Sequence, residues 1–264
     1  MDEFERVARH LVADAGVRLR AAWGRSKNVE YKGPVDLVTE TDREVEALVT
    51  TRLSEAFPDH VVVAEEASAA GGAQRPSSDV FAWYLDPLDG TVNFAHSVPH
   101  FSISLALGRG DDMLFGIVHD PLRDETFVAR GGEGATLNGR PIQVSEVDVL
   151  ERALLATGLP YDRRERPEFY LEFMTNFIRA AQDIRRFGSA ALDLCYVACG
   201  RYDGFWEWRL HHWDTAAGSL IVREAGGMVS NFRGEPFDLF GEHTLASNGR
   251  LHEKMLEVLD LRRS

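Results

Sequence analysis

The sequence predicts a mixed chain, α+β in its first half and α/β in its second. Three observations predict it. Apolar residues recur at helical spacing through the first 57 positions, three apolar or alternating runs lie between Phe101 and Arg130, and from about Leu150 strand-like and helix-like runs alternate. No repeat, low-complexity tract or linker divides the halves, so they read as two lobes, 1–150 and 151–264, of one domain. With 264 residues, 44% of them hydrophobic and 27% charged, the chain has ample material for a core.

Phe4, Val7, Ala8, Leu11, Val12, Ala15 and Leu19 give a first amphipathic helix ending near Trp23. Residues 24–34, with Lys27 and Lys32, read as an exposed polar loop. A second helix buries Val45, Leu48, Val49, Leu53 and Phe57; Thr39 or Thr41 caps it, which puts Asp42 in its first turn, where an acid suits the helix dipole. Residues 61–64 form a strand that delivers Glu65 and Glu66 at its end, and 67–78 a loop of small residues. Residues 81–85 form the next strand, followed by a meander at 101–108, 113–119 and 125–130 and an Asn138-Gly139 hairpin turn. In the second half, strands are expected at 154–157, 183–187, 202–208, 228–232 and 244–247. Helices are expected at 167–181, 189–199 (capped by Ser189, stopped by Gly200), 213–225 and 251–259.

The chemistry centres on Asp86-Pro87-Leu88-Asp89-Gly90-Thr91. Pro87 turns the chain out of the strand, so Asp86 and Asp89 can face one point. Gly90 lets the backbone approach a ligand, and Thr91 opens a helical turn whose free amides suit an anion. Two carboxylates beside an anion site oppose one another unless cations lie between them, which points to divalent metal bridging acidic oxygens and a phosphate. An Asp-rich turn capping a helix is the alternative. Asp214, at a helix start before Thr215-Ala216-Ala217-Gly218, reads on its own as a helix-dipole acid. Glu207, inside the aromatic stretch 205–208, either faces solvent or lines a pocket. Net charge of −13 (29 basic, 42 acidic residues) with no basic patch argues against nucleic acid as a partner. No stretch is apolar enough to span a membrane, and the acidic amino terminus is unlike a secretory leader. Cys195 and Cys199, four apart on a helix, read as buried packing in a reduced, cytoplasmic protein.

Together these segments resemble the inositol monophosphatase family of magnesium-dependent, lithium-sensitive phosphatases. Residues 86–94 resemble its central signature, 213–218 its second, and 36–42 and 64–66 its two other active-site segments, with Ala64 where many members have glycine. The resemblance implies a layered αβαβα sandwich of the sugar-phosphatase type, mostly antiparallel in the first sheet and mixed in the second. It implies that Glu65, Asp86 and the Leu88 carbonyl hold one Mg²⁺, that Asp86, Asp89 and Asp214 hold another, and that Glu65 lies near a third. Asp42 and Thr91 would orient and deprotonate the attacking water, with Glu65 completing the catalytic set. The substrate would meet the amides of Gly90 and Thr91, then Asp89, Asp214, Arg185, Gly188, Ser189, Ala190 and Glu207, with Lys32 nearby. Arg209 departs from the small residue many members have there. A homodimer is also implied, and exposed apolar strands in the first half would permit it. The acids give the same chemistry independently: Thr91 is no base at neutral pH, so the proton must pass to a carboxylate, and no Cys or His nucleophile motif is present. The expected substrate is a small polyol phosphate, inositol 1-phosphate first. Histidinol phosphate, fructose 1,6-bisphosphate, 3′-phosphoadenosine 5′-phosphate and a regulatory, RNA-associated role are the alternatives.

Overall fold

The computed structural model describes residues 2–25, 29–31, 37–69 and 75–260. The first half comprises α1 (Glu3–Ala22), β1 (Val29–Tyr31), β2 (Leu37–Thr39), α2 (Glu40–Ala56), β3 (Val61–Ala64), α3 (Glu65–Ala69), β4 (Phe81–Asp89) and α4 (Thr91–Ala95). It continues with β5 (Ser102–Arg109), β6 (Asp112–Asp120), β7 (Glu125–Arg130), β8 (Gly134–Leu137) and β9 (Arg140–Pro141). The second half comprises β10 (Leu154–Thr157), α5 (Pro167–Ala180), β11 (Asp183–Arg185), α6 (Ala190–Ala198), β12 (Gly204–Trp208), α7 (His212–Glu224), β13 (Met228–Ser230), β14 (His243–Ser247) and α8 (His252–Val258).

Among the described residues, β3 to β9 form one sheet in chain order, parallel only between β3 and β4. The second sheet has the order β11-β10-β12-β14-β13, with β10 parallel to both β11 and β12 and the other pairs antiparallel. Helices α1 and α2 cover one face of the first sheet, α6 and α7 lie between the sheets, and α5 and α8 close the far side. This is the expected αβαβα layering. It explains why β4 reads as an unbroken apolar run: Trp83 and Leu85 face the α1/α2 core, while Ala82 and Tyr84 face the middle core. Small residues set the layer spacing. A Cβ on Gly116 of β6 would stand 3.0 Å from the Ala217 backbone of α7, and one on Gly218 would stand 2.6 Å from Leu194 of α6.

Four expectations need correcting. The polar loop expected at 24–34 contains β1, which pairs with β2 from Val29↔Thr39 to Tyr31↔Leu37. Three-residue strands are too short to show a hydrophobic period. Next, β4 does not stop at Leu85 but runs on to Asp89. Pro87 is tolerated because pairing with β3 ends at Ala64↔Leu85 and the register with β5 breaks between Asp86 and Asp89. Third, the meander strands are covered on both faces (β5 is buried from Ser102 to Gly108), so they offer no exposed apolar surface for a dimer. Last, the small-residue loop expected to begin at residue 67 begins later, because α3 continues as helix through Ala69. Among the described residues no helix is long and apolar enough to cross a membrane.

Candidate active site

Because β3 and β4 run parallel and in register, their carboxyl ends lie side by side, where open sheets place ligands. The end of β3 passes into Glu65, the first residue of α3, and β4 ends in the two aspartates. In a regular strand residues three apart point to opposite faces. Here Asp86 pairs with Ser104 and Asp89 with Ser102, so β4 carries one extra residue, and that bulge turns both carboxylates to one side. Asp214 joins them from the first turn of α7, accepting from the His211 amide at 2.7 Å. Asp89 accepts from the Ala191 amide at 2.9 Å, the Ala190 amide at 3.2 Å and the hydroxyls of Ser189 and Ser102.

Burial, and after it the fields of Glu65, Asp89 and Asp214, push the Asp86 carboxyl well above the usual carboxylate range. Asp214 is raised well above it too, by burial first and then by Glu65 and Asp89. Burial lifts Asp89 to about 6 against the lowering effect of its four hydrogen bonds. Among the described residues no three acid, His or Cys side chains converge tightly enough to grip an ion as they stand. The donor set nonetheless suits one. Four mutually repelling carboxylates and the Leu88 carbonyl are hard oxygen ligands, and a divalent cation among them removes the repulsion.

Asp42 lies behind this cluster with no exposed surface. It is three residues past the cap of α2, and its Oδ2 accepts from the Thr39 amide at 3.0 Å and from the Thr39 hydroxyl. Its Oδ1 is 3.1 Å from Thr91 Oγ1, which is also 3.0 Å from the Leu88 carbonyl. Burial raises the Asp42 carboxyl to about 7; the Thr39 hydrogen bonds oppose this, and Glu65 and Glu66 add to it. Gly90, at φ +94, caps α4, and a Cβ there would press on the carbonyls of His100 (3.1 Å) and Gly188 (3.2 Å).

The other wall comes from the second sheet. The parallel strands β11, β10 and β12 are neighbours, and from their carboxyl ends Arg186, residues 158–161, Arg163 and Glu207 enter a cleft of about 150 Å³ that also holds Glu65, Asp86, Asp89 and Asp214. Glu207 is 8% exposed, and burial lifts its carboxyl to about 8 despite the lowering fields of Arg186 and Arg163. Gly158 makes room for it: a Cβ there would fall 2.0 Å from Glu207 Oε1.

The sequence matches the inositol monophosphatase family over residues 1–262. The chain belongs to the inositol monophosphatase family. It is 44% identical over 260 residues to the inositol-1-monophosphatase of Synechocystis, covering 96% of this chain and 87% of that one. It is 42% identical over 234 residues to the Nus factor SuhB of Pseudomonas aeruginosa, covering 88% and 86%. Among solved structures, the Thermotoga maritima IMPase superposes with a TM-score of 0.87 at 39% identity, covering 98% of this chain and 97% of that one. The protein is therefore a phosphatase.

Most residues expected from the inositol monophosphatase resemblance lie at this cleft: Glu65, Asp86, Leu88, Asp89, Gly90, Thr91, Gly188, Ser189, Ala190, Glu207 and Asp214 line it, and Asp42 backs Thr91. Ser189 and Ala190 also hold Asp89 through hydroxyl and amide, so they orient one of the acids. Arg185 is the correction. Its Nη1 pairs with Asp183 Oδ2 at 2.5 Å, away from the cleft, because strand alternation at the end of β11 turns the next residue, Arg186, inward. Arg209 does reach the rim, held by Asp162 at 2.7 Å. Lys32 lies outside the described residues. Sequence reasoning missed Arg163 and Arg186, and also Glu46 of α2, whose carboxylate accepts from the Glu66 and Ala67 amides at 2.7 and 2.9 Å and so fixes the start of α3 at Glu65. Its one sequence signal is position: Glu46 follows Asp42 by a helical turn.

Proposed function

We propose that the protein is a Mg²⁺-dependent phosphomonoesterase that hydrolyses a small polyol phosphate, inositol 1-phosphate first, by direct attack of water on phosphorus. The observation that carries this reading is the 3.1 Å contact of Thr91 with buried Asp42 beside the acids of β4 and α7. Glu65, Asp86, the Leu88 carbonyl, Asp89 and Asp214 would hold two or three ions, which when bound lower the pKa of water and offset charge on the phosphate. Thr91 aligns the water and passes its proton to Asp42, whose raised affinity for protons suits a base near neutrality. The amides of Gly90 and Thr91 receive the phosphate; Gly188 leaves space for the alcohol, and Glu207 meets its hydroxyls. The water oxygen bonds to phosphorus, the phosphorus–alcohol bond breaks, and the alkoxide leaves to take a proton.

The two lobes would act as one catalytic domain, inhibited by lithium, in the cytoplasm. A homodimer is supported by Val92, Val98 and Phe187, apolar residues 43–45% exposed beside the cleft, where Asn93 ties α4 to the Phe187 carbonyl at 2.7 Å. The relative named as a Nus factor keeps a regulatory role as the second reading.

A panel of inositol 1-phosphate, histidinol phosphate, fructose 1,6-bisphosphate and 3′-phosphoadenosine 5′-phosphate, each with Mg²⁺, with chelator and with Li⁺, tests the reading. Mg²⁺-dependent release from the inositol ester, suppressed by Li⁺, is expected. No release from any ester gives the regulatory role first place.

A further inference from the structure

A second cavity, of about 310 Å³, lies apart from the catalytic cleft and shares no lining residue with it. It opens between α7, the start of β6 and the loop 236–239, at the small end of ordinary ligand pockets. Met113, Phe237 and Leu239 give it an apolar wall. Two arginines and two aspartates supply its charge, and they pair unevenly. Arg75 bridges Asp111, at 2.7 Å, and Asp238, so one guanidinium engages both carboxylates. Arg223 is left over: among the described residues its guanidinium has no ion pair, hydrogen bond or ring contact. The fields of Glu224 and Asp112 reach it, but the Glu224 carboxylate is taken by the Gly132 and Gly134 amides, at 2.8 Å each. Part of the side chain stays exposed, yet burial holds its pKa below the usual arginine value, so the head is partly withdrawn from water with nothing to replace it. An anion from outside would complete it. A planar fork beside an apolar wall suits a carboxylate on a small apolar body. A free phosphate would leave the wall unused and bring a second negative charge toward Asp111 and Asp238.

The cavity also touches elements that position the acids of the cleft. Ser219 and Arg223 are about one turn apart on α7, which carries Asp214 at its other end. The loop runs on into Phe240, which stacks on His212 in the first turn of α7 with ring centres 4.7 Å apart. Phe240 also meets Tyr84 of β4 edge-on, two residues before Asp86. We propose that this cavity is an effector site: it binds a small amphipathic carboxylate through Arg223, and its occupancy is felt at Asp214 through α7 and Phe240. The effect at the cleft rests on the phosphatase reading above, in which Asp214 holds an ion; the binding itself does not.

The test uses the full-length wild type and Arg223→Gln, with melting curves to establish that both are folded. The probes are phenylacetate, 3-phenylpropionate, hexanoate and 4-methylpentanoate, each beside its own carboxamide, with affinities measured by calorimetry in chelator. At least one acid should bind roughly tenfold more tightly than its amide, as expected for a charge-assisted contact, and the gap should close in Arg223→Gln. No acid that outbinds its amide, or a preference that survives the substitution, overturns the site. Mg²⁺ affinity is then measured with and without the tightest acid at saturation. A shift of about threefold or more in the wild type, absent in Arg223→Gln, is expected of coupled sites. An unchanged Mg²⁺ affinity overturns the effector role. A wild type that binds no Mg²⁺ at all fails the phosphatase reading and the coupling together, while the comparison of acid with amide still decides the binding site.

Discussion

Asp42 has no exposed surface, a carboxyl raised to about 7 and a partner in Thr91, a combination that capping α2 does not require. Asp42→Asn should therefore lower kcat by roughly 10²–10⁴-fold, while Mg²⁺ still raises the melting temperature of the variant. In the wild type kcat/KM should fall as pH drops through the Asp42 pKa, because the base is then protonated. That limb lies at or below about 7, since bound cations favour the carboxylate, and it should vanish in Asp42→Asn. Glu207→Gln should raise KM for inositol 1-phosphate roughly three- to tenfold, the worth of one hydrogen bond to the alcohol; steady-state kinetics with an unchanged KM would remove Glu207 from the pocket. At this scale the acids were legible because Asp86, Asp89 and Thr91 occupy one short stretch whose bulge and cap are local. Arg163 and Arg186 were not. Adjacent arginines at 163–164 and 185–186 look alike in sequence, and only the pleat at the end of β11 decides that 185 turns out and 186 in.

Helix α7 carries Asp214 at its start and rests on β6 through Gly116, so the helix's height above the sheet sets where the acid lies. Gly116→Val should lift α7, destabilise the fold by about 1–3 kcal/mol and weaken Mg²⁺ binding; denaturant melts with and without Mg²⁺ report both effects. Another element-scale contact is His252 of α8, fully buried, with Nε2 2.8 Å from Ser230 Oγ on β13 and Nδ1 2.9 Å from Ser247 Oγ on β14. Burial depresses its pKa to about 4, so the unfolded chain takes up the proton first and this stabilising contribution is lost as pH falls from about 6.5 toward 4. His252→Asn should accordingly cost less stability at pH 5 than at pH 7. The long elements were legible from their periodicity and their Ser and Gly ends. The β1–β2 hairpin was not, because its pairing partners lie across residues 32–36 and each strand has only three residues.

Across the whole molecule, two sheets present the carboxyl ends of parallel strands to one cleft: acids from β3 and β4, and Arg163, Arg186 and Glu207 from β10, β11 and β12. Buried carboxylates concentrated there repel one another, so bound cations should stabilise the fold. Asp42, Asp86, Asp89 and Asp214 all have raised pKa values, so the folded state holds protons that the unfolded state releases, and stability from these groups is lost as pH rises from about 4 through those raised values. In chelator the melting temperature should thus be lower at pH 8.5 than at pH 7.5, a window that lies above both the folded values near 4 of His100, His212 and His252 and the ordinary imidazole value of about 6.5 in the unfolded chain. Stabilisation by Mg²⁺ should be larger at pH 8.5, where protons compete less for the same oxygens. The layer order was predictable from the four motifs and the change of pattern near residue 150. How the strand ends meet is a tertiary fact that no single segment encodes. The most direct measurement is phosphate release from inositol 1-phosphate by the wild type and by Asp89→Asn, each in Mg²⁺ and in chelator, with melting curves to establish that both are folded. Release by the wild type in Mg²⁺ alone, reduced at least about a hundredfold in the folded variant, is the expected result. Equal release by both proteins, or release that chelator leaves untouched, would contradict a reaction driven by the acids of this cleft.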